Sequence, residues 1–149
     1  MKTAKEIMTT PVITVTPELD IKSLATLLTK NQISGAPVVD QEGKLLGIVT
    51  ETDLLFTEKP LNIPSFFIIL DTLVYLENPF KLEKELKELT ARTVADIYTH
   101  DCLTATADTP VGKVANLMVT EKKYLLPVID QHKKVLGIIS RTDMMSLIS

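Results

Sequence analysis

Apolar and polar positions alternate along this chain in short, well-punctuated runs. Residues 2–8 suit a short helix leading to Thr9-Thr10-Pro11, where Pro11 disfavours a helical Thr10 and predicts extended chain. Val12-Ile13-Thr14-Val15 then reads as a short strand. From about Asp20 to Asn31, Ile21, Leu24, Ala25 and Leu28 recur at helical spacing and form one apolar face. Ala36-Pro37-Val38-Val39 and Leu45-Leu46-Gly47-Ile48-Val49 flank the turn Asp40-Gln41-Glu42-Gly43, which predicts a β-hairpin. Thr50 is placed to cap a helix running through Leu55.

The same order returns later. Thr109 is expected to cap a helix with Pro110 in its first position, and Val111, Val114, Ala115 and Met118 face inward. A second hairpin turns through Asp130-Gln131-His132-Lys133, without the glycine of the first, and Ser140 opens a helix expected to reach the C-terminus. Each half therefore reads helix, strand, helix, strand, strand, helix.

The recurrence is residue by residue. Pro37 returns as Pro127, Asp40-Gln41 as Asp130-Gln131, Gly47 as Gly137 and Thr52-Asp53 as Thr142-Asp143, all offset by 90 residues. Ile7 and Ile97, Thr14 and Thr104, Thr16 and Thr106, and Leu27 and Leu117 keep that register upstream. This is an internal duplication. It divides the chain into a first repeat (1–57), a segment without counterpart (58–92) and a second repeat (93–149). In the middle segment Pro60, Pro64 and Pro79 separate two expected helices. One carries Phe66, Ile69, Leu73 and Leu76 on one face; the other carries Leu82, Leu86 and Leu89. Such an insert closes over the core, forms a dimer contact or acts as a lid, because its apolar face must bury against something.

Composition narrows the function classes. A chain of 149 residues can bury a real core, and 45% hydrophobic with 23% charged residues is ordinary globular usage. A net charge of −3 supplies no electrostatic reason to bind nucleic acid or an anionic membrane. No stretch reads as a membrane span or signal peptide, and the single cysteine forms no internal disulfide, so a soluble cytoplasmic protein is expected. His100 and His132 lack a surrounding ligand set for a metal, and Cys102, the counterpart of Val12, reads as a small apolar residue. Nothing in the sequence reads as catalytic.

The run Ala36-Pro37-Val38-Val39-Asp40, then Gly43 to Thr50, then Asp53-Leu54, with its copy 90 residues on, resembles a cystathionine-β-synthase (CBS) domain. Two in tandem resemble the CBS pair, or Bateman module, and Lys5 to Val15 resembles the entry segment of such domains. The resemblance implies an α+β fold of two pseudo-symmetric βαββα-type repeats packed sheet to sheet. It implies clefts between them that commonly hold adenine nucleotides, and disc-like dimers. The family pattern places an Asp three residues after a Thr or Ser at a strand-to-helix junction, here Thr50 with Asp53 and Ser140 with Asp143. The chemistry is apt, since one carboxylate can accept hydrogen bonds from both vicinal ribose hydroxyls, and a phosphate can dock on the neighbouring hydroxyl and helix N-terminus. Taken alone, the same residues read as helix caps.

By resemblance, each cleft takes its Asp from one half and its base-lining segment from the other. The main site then groups Ser140, Arg141 and Asp143 with Ile13, Ile33, Ser34, Gly35 and Ala36. Small residues there leave backbone amides open to a purine, and Arg141 supplies a cation. A larger residue at Gly35 is expected to block the base and spare the fold. The second site pairs Thr50 and Asp53 with Leu103, Lys123, Tyr124, Leu125 and Leu126, where bulk and Glu51 disfavour a nucleotide. Tyr124 either stacks on a base or, as favoured, fills that cavity. The expectation is a regulatory module, without a required cofactor, that senses AMP, ADP, ATP or another adenosine derivative. It is expected to form a homodimer that acts on a regulated protein. The alternative is a ligand-free dimeric scaffold docking on a partner.

Overall fold

The computed structural model describes residues 2–55 and 92–148; the two helices expected between the repeats lie outside them. Helix α1 spans Ala4–Ile7 and α2 spans Ile21–Lys30. Strands β1 (Gly35–Val39) and β2 (Leu45–Thr50) form the first hairpin, followed by α3 (Glu51–Leu55). A 3-10 turn at Val94–Asp96 and strand β3 (Thr99–His100) open the second half. Helix α4 (Val111–Glu121), strands β4 (Leu125–Ile129) and β5 (Val135–Ser140), and α5 (Arg141–Met145) complete it. The last helix stops at Met145, short of the expected C-terminal run.

Each expected hairpin forms, with the same irregularity: the register shifts between Val38 and Val39, and between Val128 and Ile129. The repeated aspartates organise the turns. Asp40 Oδ1 accepts from the amides of Glu42 and Lys44, and Asp130 Oδ1 from those of His132 and Lys134. The left-handed position held by Gly43 (φ 83°) in the first turn is held by Lys133 (φ 64°) in the second, so the missing glycine leaves the turn shape intact.

The strand expected over Val12–Val15 shrinks to one parallel bridge, Val15 with Val38. The Val15 amide donates to the Pro37 carbonyl and the Val39 amide donates to Val15. Extending that ladder toward Ile13 needs an N–H from residue 37, and proline has none. Ala105 repeats the arrangement against Pro127 and Ile129. The proline in each repeat therefore ends the ladder and leaves Val12-Ile13 and Cys102-Leu103 outside it. Thr109 also departs from expectation. Its hydroxyl accepts from the Thr106 amide, and Pro110 occupies the N-cap of α4 without a side-chain cap.

The two halves exchange their entry segments. Thr3 bridges Pro110, and its image Thr93 bridges Asp20; Thr9 bridges Ile138, and its image Thr99 pairs with Ile48. Each core is completed from the opposite half. Val94 lies with Val15, Ile21, Leu24, Val38 and Val49, whereas Ala4 lies with Val114, Met118, Leu126, Val128 and Ile139. Both Ala4 and Val94 are fully buried. Sheet β1-β2-β3 thus contains a strand from each half, and β4-β5 is flanked by Thr9. At the pseudo-twofold axis Lys44 bridges Lys134, its own image.

Candidate functional site

Where the two hairpins face each other, a cleft of about 910 Å³ runs between the halves. All but two of the residues expected in two separate sites line this single cavity; the exceptions are Ala36 and its image Leu126, which is fully buried in the second core. Ile13, Ile33, Ser34, Gly35, Ser140, Arg141 and Asp143 share it with Thr50, Asp53, Leu103, Lys123, Tyr124 and Leu125. Ala36 does not line it. Its side chain is fully buried in the first core, because alternation along β1 turns it to the opposite face. The sequence reading missed Thr9 and Thr99, which line the cleft beside the two aspartates. The available signal was that Thr9 recurs as Thr99 at the same 90-residue offset that relates Asp53 to Asp143.

The aspartates are held alike. Asp143 Oδ2 accepts from the Ser140 amide (2.7 Å) and hydroxyl (3.1 Å), and the Ser140 hydroxyl in turn accepts from the Asp143 amide. Asp143 Oδ1 accepts from the Thr9 hydroxyl at 2.8 Å. At the pseudo-symmetric position, Asp53 Oδ2 accepts from the Thr50 amide (2.8 Å) and hydroxyl (3.3 Å). Its Oδ1 accepts from the Thr99 hydroxyl at a looser 3.4 Å. Each carboxylate thus caps its own helix with one oxygen and reaches a segment of the opposite half with the other. Ser140 caps α5, its hydroxyl accepting from the Asp143 amide, whereas the Thr50 hydroxyl donates to Asp53; both residues line the cleft.

The surroundings break the symmetry. Arg141 lies over the Tyr124 ring, 4.7 Å from its centroid, and its amide donates to the Tyr124 carbonyl. The image pair is Glu51 and Ser34, joined by the same backbone bond at 2.8 Å. Arg141 and Tyr124, expected on different sites, therefore form one cationic-aromatic wall. Tyr124 is 42% exposed and does not fill the cavity. Among the described residues, the one ion pair joins Lys44 to Glu42, so the Arg141 charge has no carboxylate within ion-pair distance. Burial pushes the Cys102 thiol up, and it lines the cleft as a neutral group.

Gly35 and Leu125 are images of each other and meet across the axis. A Cβ on Gly35 would come within 2.8 Å of Leu125 Cδ2 and 2.7 Å of the Val49 carbonyl. Packing by itself requires glycine there, so a large residue at position 35 disturbs the fold as well as the cleft. Leu125 takes the space that Gly35 vacates.

A family comparison closes the argument from this geometry: the CBS domain model matches residues 4–58 and 94–149. The chain belongs to the CBS domain family. Its two repeats form a CBS pair. Protein MJ1426 of Methanocaldococcus jannaschii is 33% identical over 147 residues, covering 94% of this chain and 87% of its own length. The CBS domain of a CBS-domain-containing membrane protein from Sphaerobacter thermophilus matches with a TM-score of 0.82 at 29% identity, covering 99% of this chain and 88% of that one. The CBS pair of protein MJ0100, solved with 5′-methylthioadenosine and S-adenosyl-L-methionine, matches with a TM-score of 0.72 at 28% identity, covering 99% and 96%. In this CBS pair, no helix among the described residues is long and apolar enough to cross a membrane.

Proposed function

We propose that this CBS pair is a cytoplasmic regulatory module, not an enzyme, and that it takes an adenosine-containing ligand in the cleft between its halves. The observation that carries the reading is Asp143: one carboxylate oxygen is committed to the helix cap while the other points along the cleft to a hydroxyl donor. A ribose diol supplies donors of that kind. Arg141, stacked on Tyr124, faces the same cavity with an uncompensated charge suited to a 5′-phosphate. The adenosine ligands of the MJ0100 pair support the class. Binding acts on a regulated protein by favouring one packing of the two halves, to the extent that the ligand prefers it. A homodimer fits the exposed apolar side chains Val119 and Met145, 72% and 59% accessible.

Calorimetric titration with AMP, ADP, ATP and S-adenosylmethionine, with GMP and CMP as controls, tests this. Asp143→Asn keeps an acceptor for the cap but cannot accept from both ribose hydroxyls, and it should weaken binding by about tenfold or more. Equal loss in Asp53→Asn alone would place the ligand at the other end of the cleft. A flat titration across the panel would favour the scaffold reading, in which the same fold serves only to hold two copies and a partner.

A further inference from the structure

We propose that the Thr9 hydroxyl is an internal stand-in for a ligand hydroxyl at Asp143, so that a diol-bearing ligand releases the N-terminal entry segment from the second repeat. The inference rests on the cleft reading above and adds a regulatory consequence to it. A carboxylate offers about four acceptor positions, two on each oxygen. Asp143 Oδ2 has both engaged, by the Ser140 amide and hydroxyl. Oδ1 has one engaged, by Thr9 at 2.8 Å, which leaves one. A single ligand hydroxyl can be accommodated as the carboxylate stands. Two vicinal hydroxyls cannot, unless Thr9 lets go.

Thr9 is not an isolated side chain. Its amide donates to the Ile138 carbonyl (2.8 Å) and its carbonyl accepts from the Ile138 amide (3.2 Å). Upstream, Lys5 and Ala4 donate to the carbonyls of Ala107 and Thr109, and the Ala4 side chain is buried in the second core. The hydroxyl therefore ties the cleft to a segment that holds the first half onto the second. The image contact, Thr99 to Asp53, is longer at 3.4 Å, so the tie is tighter at Asp143. The ligand and the latch compete for one oxygen, and occupancy loosens the entry segment by as much as the latch opposes binding.

Two measurements on the full chain test this. The first needs no ligand: amide hydrogen exchange at Ala4, Lys5 and Ile138. Thr9→Val and Asp143→Asn should each speed exchange there severalfold, and the double variant should add little to either. Thr9→Ser, which keeps the hydroxyl, should behave as wild type. Unchanged exchange in both single variants, or full additivity in the double, overturns the latch. The second is calorimetry with AMP and 2′-deoxy-AMP. Thr9→Val should bind AMP about two- to tenfold more tightly and leave 2′-deoxy-AMP affinity nearly unchanged. AMP binding that is unchanged or weaker in Thr9→Val overturns the latch alone. Failure of the wild-type chain to bind any adenosine ligand overturns the cleft reading and the ligand half of the latch together, while the exchange measurement still decides the tie in the free protein.

Discussion

Gly47 and Gly137 lie directly beneath chain from the opposite half. A Cβ on Gly47 would strike the Thr99 backbone carbonyl, whereas one on Gly137 would first meet the Met8 sulfur, the far end of a flexible side chain. Gly47→Ala should therefore destabilise more than Gly137→Ala, by about 1–3 kcal/mol, the usual range for overpacking. Urea denaturation of both variants checks the order, and equal losses would contradict it. That both glycines recur was plain in the sequence; their reason was not, because the segments above them come from the other half. Gly35 is a similar case. Its smallness reads as openness along the chain, but the Val49 carbonyl of the paired strand and the Leu125 side chain across the axis take the space. Asp143 and Asp53 were legible as paired cleft residues because cap and cleft use different oxygens of one carboxylate.

At the scale of elements, α2 and α4 followed their apolar spacing and the hairpins their turns, since both patterns are local. The strand at Val12–Val15 did not form as expected, because a proline about two dozen residues away withholds the N–H that would extend it. Capping is unequal between the pseudo-equivalent helices. Asp20 caps α2, accepting from the Ser23 amide (2.9 Å) and hydroxyl (2.6 Å), while α4 starts at Pro110 without a side-chain cap. Asp20→Ala should cost about 1 kcal/mol. The Ser23 hydroxyl and amide hold the Asp20 carboxyl below its ordinary 3.8. A carboxyl depressed on folding stabilises above its unfolded value and loses that contribution as pH falls through the folded one. The difference between wild type and Asp20→Ala should thus be complete at neutral pH and fade below about 3.8. Chemical denaturation at several pH values reads it directly; a difference that grows on acidification would contradict the cap.

The whole molecule is a pair in which neither half owns a complete core. Ala4, Ile7 and Met8 pack into the second core, and Val94, Ile97 and Tyr98 into the first. A fragment of residues 93–149 expressed alone should lack a cooperative thermal transition, because burying its apolar faces needs the N-terminal segment. Mixing it with residues 1–57 should restore one; a cooperative melt of the fragment by itself would refute the interdependence. The duplication made the two-part architecture legible from sequence, but the exchange of entry segments was not. Matching residues say that two units are alike, and nothing about which unit each segment completes.

The contact of Gly35 with Leu125 has a historical reading. A single repeat could build this same body by exchanging its entry segment with a second copy of itself. In that assembly position 35 would face its own duplicate across a true twofold: two glycines would leave a hole, and two leucines would collide. A glycine against a leucine is possible only once the two copies are encoded separately and free to mutate apart. Duplication is thus what lets the halves differ, and with them the acidic Glu51 and basic Arg141 at image positions of the cleft.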